Sequence, residues 1–490
     1  MQPFTPGGKK VHGIDIDLGT PAIAAVSDFL ADAGQSAWLV GGTVRDLLLG
    51  LDPRDIDIVI DGDPEPIARR FSDSIGGAFF TISEEFKASR TISADNRLNY
   101  DFTACRGAHI VNDLGERDFS ANAMAIPIPG EAEVIDPFAG QAHLAGRELV
   151  PVDAAIFDHD PLRLLRAVRL EKSRGLIIGP DLARLIRSKA ELASLPSVER
   201  IFVELCRILE PPASSYGVRR LDELGLLSII LPEVAALKNI TQNQFHHLDV
   251  YNHVLASMDE LEWIMATPET AFPDRGKQIR ERLERQIAGD ADCRLALTLT
   301  ALLHDIAKPY CRFTDGDGSV RFFEHDRRGS EIASSILSRF KVSNGLIQVV
   351  THLVNRHMRF EGLVQQNPPS DRARLRYLRA TEPWTPEAIM LSVSDRRSVR
   401  GPRVTEADIE RHMEISRGMM ELSFITEETS PLPKLIDGNE LIIKLGLEPG
   451  PLLGKILDHI REEQELDNIN TREQALQEAR RLIDDWKKHE

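Results

Sequence analysis

The chain is poor in cysteine. Its four residues, Cys105, Cys206, Cys293 and Cys311, are scattered across 490 positions and form no C-x-x-C pair. That excludes a disulfide framework and a thiolate zinc site, and it fits a reducing compartment. No apolar run approaches a membrane span, and the leading stretch MQPFTPGGKKVHGIDID holds no apolar core of signal-peptide type. A cytoplasmic location with no membrane partner is therefore expected. Low-complexity tracts are also absent. Positive charge is in deficit, with a formal net charge of −17, which argues against indiscriminate coating of nucleic acid; no DNA partner is expected. The deficit is reversed locally. Between Pro161 and Arg220, twelve Lys and Arg stand against six Asp and Glu, a basic stretch within an acidic protein. The length is too great for one core, so about two to four domains are expected.

What the chain does have begins at residues 38–60, WLVGGTVRDLLLGLDPRDIDIVI. Trp38 to Val40 is an apolar run of strand type, broken by Gly41-Gly42. Val44 to Leu49 has helical spacing, with Gly50 as a stop. Asp55 to Ile60 then alternates with period two, so Asp55 and Asp57 share one face while Ile56 and Ile58 share the other. Two carboxylates roughly 6–7 Å apart repel unless a cation lies between them, and hard oxygen ligands suit Mg²⁺. Paired glycines let backbone N–H groups approach a triphosphate at a helix N-terminus. Alone, a G-G turn or a D-x-D is a common structural feature; in the order strand, G-G, helix, D-x-D they are far more specific. Downstream, strand-like segments are expected over Ala78–Ile82, Arg90–Ser93 and Leu98–Ala104. The last puts Asp101 in mid-strand, where a third carboxylate suits a two-metal site.

The pattern G-G-x-V-R-D-x-L-L-G followed by D-I-D resembles the signature of class II tRNA nucleotidyltransferases and bacterial poly(A) polymerases. The segment DLGERDFSANAMAI (113–126) is similar to that family's R-R-D-F-T-x-N-A motif, with Glu116 in place of the first Arg and Ser120 in place of Thr. The resemblance implies that Gly41, Gly42 and Arg45 cradle the triphosphate, that Arg117, Asp118 and Asn122 serve its phosphates and ribose, and that Asp55, Asp57 and Asp101 are catalytic. HDPLRLLRAVRL (159–170) resembles the family's E-D-x-x-R element. On one helix, Asp160 and Arg163 would share a face with Arg166, and the resemblance implies that they present hydrogen-bonding edges to the incoming base. His159 stands where the CTP/ATP-selecting members have Glu, so the choice of base stays open.

A second constellation follows. His253, His304, Asp305, His325, His357 and Asp395 each lie in or beside an apolar helix-period stretch. One such His is usually a core residue. The order H…HD…H…H…D resembles the HD phosphohydrolase superfamily, whose imidazoles and carboxylates bind a divalent ion, here of unknown identity. His247 and His352 are weaker candidates, Lys308 is placed to meet a phosphate, and Thr267–Asp292 reads as an inserted loop plus a surface helix. Arg396, Arg397, Arg400 and Arg403 could contact RNA phosphates.

The reading is an α+β protein: a small mixed α/β nucleotidyltransferase head (1–150), an all-helical, RNA-binding neck (151–240), an HD metal domain (241–400) and a helical tail (401–490). The expected function is template-independent addition of CMP and AMP from CTP and ATP to the 3′ end of tRNA. It uses two Mg²⁺ and releases pyrophosphate, with HD phosphohydrolase activity as a possible second function. Alternatives are a poly(A) polymerase, an A-only enzyme, or an HD hydrolase with an inert RNA-binding head. An alarmone synthetase-hydrolase places its hydrolase first and lacks the R-D-F-x-x-N-A segment. Oligomeric state is not readable.

Overall fold

The computed structural model describes residues 9–11, 14–16, 18–84, 87–130, 132–243, 245–289, 291–316, 318–366, 368–429 and 432–487. The chain folds as two compact units, residues 1–208 with 216–230 and residues 209–215 with 231–490.

The first unit holds a six-stranded sheet. Its strands are β1 (Ala37–Val40), β2 (Asp55–Ile60), β3 (Ala78–Ser83), β4 (Ala88–Ile92), β5 (Asn99–Ala104) and β6 (Ala125–Ile128). They lie in the order β3-β4-β5-β2-β1-β6. β2 and β5 are parallel, with Ile56 beside Tyr100, Asp57 beside Asp101 and Ile58 beside Phe102. A parallel pair needs a crossover, and the helix Pro64–Ser74 supplies part of it. That helix starts on Asp63, whose carboxylate accepts the Glu65 N–H. It presents Phe71 to Tyr100 and Phe102, at ring separations of 4.8 and 5.7 Å, while Phe29 of the helix Pro21–Asp32 meets Phe71 at 5.3 Å. Each such buried ring contributes about 2–3 kcal/mol. One sheet face is thereby sealed with Ile56 and Ile58, both fully buried. Period-two alternation leaves Asp55, Asp57 and Asp101 on the other.

Helices Arg163–Arg174, Pro180–Ser188, Val198–Leu209 and Ser214–Glu223 follow the sheet. Buried Glu171 fastens two of them, accepting from Arg220 Nε at 2.6 Å and from the Ile178 N–H. The helix expected over 159–170 begins only at Arg163. Asp160 is extended, with φ −143° and ψ 96°, because a residue ahead of proline is driven out of the helical region by the ring of Pro161.

In the second unit, the helices Val250–Ala266, Cys293–Leu303, His325–Arg339, Asn344–Arg356 and Thr385–Ser398 pack around Val254, Leu297, Ala301, Val350 and Ile389. The charged segment 267–292 is less superficial than its composition implies. Its helix Gly276–Leu283 buries Ile279 and Leu283, and Arg282 pairs at 2.6 Å with the fully buried Glu387. The helices Gly438–Leu445, Pro451–Glu465 and Arg472–Lys487 form a separate small core around Leu441, Ile456, Ile460 and Ala479. Arg372, Arg376 and Arg379 on the helix Asp371–Thr381 reach Glu462, Glu463 and Glu465 of that tail. Among the described residues, no helix is long and apolar enough to cross a membrane.

Candidate active site and metal centre

The turn from β1 into the helix Gly41–Leu48 carries the head site. Gly41 has φ +64°, and a Cβ there would lie 2.7 Å from Arg117 Nη1 and 2.8 Å from Asp57 Oδ2. The Gly42 N–H donates to Asp57 Oδ2 at 3.1 Å. Thr43 locks turn to strand: its hydroxyl donates to the Asp55 carbonyl and accepts the Asp57 N–H at 2.7 Å. Three carboxylates then stand on neighbouring strands. Asn99 Nδ2 donates to Asp55 at 2.8 Å, and Arg90, opposite Asp101 on β4, holds both Asp101 oxygens at 2.7 Å. Burial is the main cause that pushes the Asp57 carboxyl up from its ordinary 3.8 to about 6; Arg117 pulls it down, while Asp101 and Asp55 push it further up. An acid strained in this way is what a divalent cation relieves. Asp55 and Asp57 therefore offer oxygen ligands to a divalent cation, while both oxygens of Asp101 are held by Arg90.

These values set a pH dependence. Below about pH 6 a proton on Asp57 competes with the cation, so metal affinity is expected to fall about tenfold per unit; above pH 6 that penalty vanishes. The raised carboxyl also favours the metal-free fold at low pH. This contribution is present below pH 3.8 and lost as pH rises through about 6. Titration of Mn²⁺ binding between pH 5 and 8 checks the sign.

Glycine at 41 is similarly testable. Gly41→Ala costs about 1–2 kcal/mol from backbone conformation alone, and the added methyl forces Arg117 and Asp57 apart. Gly42→Ala brings its methyl to 3.3 Å from Arg45 Nη2 and 3.5 Å from Asp57 Oδ2, contacts that a small shift relieves. Nucleotide affinity by calorimetry is expected to fall in both variants and much further in the first; equal effects would contradict the geometry.

Four of the remaining residues, Arg45, Asn122, Asp118 and Arg166, form one connected network. Arg45 is buried and donates to Asn122 Oδ1 at 2.7 Å and to Asp46; Asn122 donates to Asp118 at 2.8 Å; Arg166 donates to the other Asp118 oxygen at 3.1 Å. Burial pushes the Asp118 carboxyl up, but Arg166, Asn122 and the Phe119 N–H outweigh it and hold it at about 2. Arg117 is anchored by Asp113 at 2.9 Å. Asp160 and Arg163 are not a helical pair. Asp160 is met by Arg200 at 3.0 Å, and Arg163 donates to the Glu116 carbonyl at 2.6 Å. Arg90, Thr43 and Arg200 were not singled out from the sequence, because each matters through a contact distant along the chain.

The second unit gathers all six expected residues of the HD pattern. His304 and His357 directly follow the helices Cys293–Leu303 and Asn344–Arg356, and His325 opens its own helix. The Nδ1–H groups of His304, His325 and His357 donate to the carbonyls of Ala301, Phe322 and Val354 at 2.7–2.8 Å. Because the Ser398 hydroxyl is spent on the Asp395 carbonyl, His253 Nδ1 is the donor to Ser398 Oγ. Every Nε2 therefore faces inward, the tautomer that ligates a metal. His253 Nε2 lies 3.0 Å from Asp395 Oδ1 and 3.4 Å from Asp305 Oδ2, and the Nε2 atoms of His325 and His357 are 3.2 Å apart. The Nε2 atoms of His253 and His304 have no hydrogen-bond partner. Opposed lone pairs and orphaned buried nitrogens fit a cation at their centre. Burial lowers the His357 imidazole to about 4, with His325 and His304 adding to the effect. Lys308 reaches Asp305 Oδ2 at 2.6 Å.

Two weaker candidates fall away. His247 accepts the Arg400 N–H, and His352 faces the Thr381 carbonyl. It is the adjacent His246 whose ring stacks edge-on against His253, at 4.9 Å. Of the four arginines near 400, Arg397 is committed to Glu260 and lies over Trp263.

Comparison with known proteins identifies the domains. Three family models match in order: the poly A polymerase head domain over residues 37–150, the probable RNA and SrmB-binding site of polymerase A over 175–238, and the HD domain over 276–399. The A-adding tRNA nucleotidyltransferase of Deinococcus radiodurans is 31% identical over 456 residues, covering 92% of this chain and 95% of that one. The chain belongs to the class II tRNA nucleotidyltransferase family. The CC-adding tRNA nucleotidyltransferase of Thermus thermophilus is also 31% identical, covering 91% and 94%. Among solved structures, the Thermotoga maritima CCA-adding enzyme complexed with tRNA aligns at a TM-score of 0.57 and 21% identity, over 94% of each chain. A CCA-adding enzyme with CTP aligns at 0.60 and 20%, again over 94% of each. Family membership makes the head a nucleotidyltransferase domain, and its carboxylate face is the side on which β2 and β5 place their acids.

Proposed function

We propose that the protein adds CMP, AMP or both to the 3′ end of tRNA, drawing on CTP and ATP, in the cytoplasm. The observation that carries this reading is the row Asp55, Asp57 and Asp101 beside a glycine turn whose Cβ position is already bordered by Arg117. Asp55, Asp57 and Asp101 would hold two Mg²⁺. When bound, these supply the charge that acidifies the attacking 3′-hydroxyl and stabilises departing pyrophosphate. The tRNA oxygen attacks the α-phosphorus in line, and the bond from that phosphorus to the β-phosphate bridging oxygen breaks. Gly41 and Gly42 leave room for the triphosphate, and Arg117 neutralises it. The network from Arg45 through Asn122 and Asp118 to Arg166 keeps the ribose side of the pocket rigid. Asp160 and Arg163 face the base, each braced by another group rather than by the other.

The relatives divide between A addition and CC addition at equal identity, so the choice of base is decided by assay. tRNA ending before CCA, and tRNA ending in CC, are incubated with CTP alone, ATP alone and both. Extension by one to three nucleotides is expected. A long homopolymer would identify a poly(A) polymerase, and no product would favour an inert head.

A second reading applies to the other unit. The inward Nε2 atoms and Asp305 and Asp395 support a divalent-metal phosphohydrolase, with Lys308 beside the position of a substrate phosphate.

A further inference from the structure

Next to the histidine cluster, strands Arg312–Thr314 and Val320–Phe322 form a hairpin. Around it lie large aromatic side chains that bury little: Tyr310 is 52% exposed, Phe313 51% and Phe323 59%. The rings of Phe313 and Phe323 are 6.0 Å apart and tilted by 52°. The foot of the hairpin belongs to the metal centre itself. The Phe322 carbonyl orients His325, and the Lys308 ammonium lies 5.4 Å from the Phe322 ring while touching Asp305. Phe323 is thus two residues from His325. The cations here are sorted. Arg321 is neutralised by Asp315, and Arg327 by Glu324 and Glu331. Arg312 donates only to the hydroxyls of Thr314 and Thr241, and Arg328 lies over Tyr310 at 5.4 Å; among the described residues neither pairs with a carboxylate.

Exposed ring faces interleaved with unneutralised guanidinium groups are what single-stranded nucleic acid binds, bases stacking and phosphates paired. We propose that this hairpin is a docking platform for single-stranded RNA carrying a terminal phosphate. The bases lie on Phe313, Phe323 and Tyr310, and the phosphate points toward the histidine–aspartate cluster. This rests on reading that cluster as a phosphohydrolase centre. A lone phosphate would gain nothing from aromatic faces outside the cluster, and a mononucleotide would leave most of them uncovered.

The test uses the full chain and a 3′-phosphorylated RNA trinucleotide with 5-iodouridine at the middle position, photocrosslinked and mapped by mass spectrometry. Crosslinks are expected on a peptide containing Phe313 or Phe323. They should largely disappear in the double variant Phe313→Ala with Phe323→Ala, with affinity weakened about five- to a hundredfold. Bound metal and hydrolysis of glycerol phosphate, which has no base, should be unchanged in that variant. Crosslinks confined to other segments, or undiminished in the variant, would overturn the platform. So would light scattering showing that the variant breaks a dimer, since the patch would then join two copies. If wild-type protein crosslinks at the hairpin but never hydrolyses glycerol phosphate, the hydrolase reading falls and the docking surface stands.

Discussion

Replacing Asp55 and Asp57 together by alanine is expected to lower nucleotide incorporation by about a thousandfold or more, the scale of losing several kcal/mol of metal-borne stabilisation. The fold should survive. Both side chains stand on the face of the sheet away from the apolar core, whereas Ile56, Ile58, Phe71 and Phe102, which hold it together, are fully buried on the other. Removing two acids from a repelling trio even relieves the strain that raises Asp57. Thermal unfolding and tRNA binding should therefore stay near wild type while product formation disappears. Incorporation within tenfold of wild type would reject these residues as the catalytic carboxylates.

The second large effect concerns Asp305. This carboxylate lies within 4 Å of four histidines and Lys308. Burial opposes its charge, but Lys308 and His304 dominate and hold its carboxyl well below the usual range. Asp305→Ala strands a buried ammonium among imidazoles, and leaving a buried charge unpaired typically costs about 3–5 kcal/mol. The variant is expected to hold less divalent metal at this cluster than the wild type, measured by elemental analysis, and to melt several degrees lower. Asp305→Asn, which keeps the shape, separates the two effects: metal should be lost with less damage to stability. Nucleotide incorporation should persist in both, because the head carboxylates are untouched. Full metal occupancy in Asp305→Asn would remove Asp305 from the ligand set.

Much of this architecture was readable because it rests on short-range periodicity. Asp55 and Asp57 had to share a face once Ile56 and Ile58 were buried, and alternation put Asp101 on that face too, though only the β2–β5 pairing sets it beside Asp57. The HD residues were legible as a set, since each sat at the edge of an apolar stretch. What escaped depended on contacts between distant segments or on local backbone. Asp160 looked helical by spacing, yet Pro161 forces it extended, and its partner Arg200 is forty residues away. Arg90 could not be tied to Asp101 before the β4–β5 pairing was known. His246 and His247 are neighbours with opposite fates, decided by which one faces His253. The charge of segment 276–283 disguised a buried face of two side chains, Ile279 and Leu283.

Binding of divalent cations by acids on one sheet face, beside a triphosphate, is what the proposed chemistry of the head requires. Its most direct test replaces Mg²⁺ with Fe²⁺ and maps the peptide bonds cut by locally generated hydroxyl radicals. Two sets of cuts are expected. One surrounds Gly41, Asp57 and Asp101 and is suppressed by excess Mg²⁺ with CTP; the other surrounds Asp305 and His253. Cleavage at the second set alone, with the Asp57 strand intact, would contradict the account of the head.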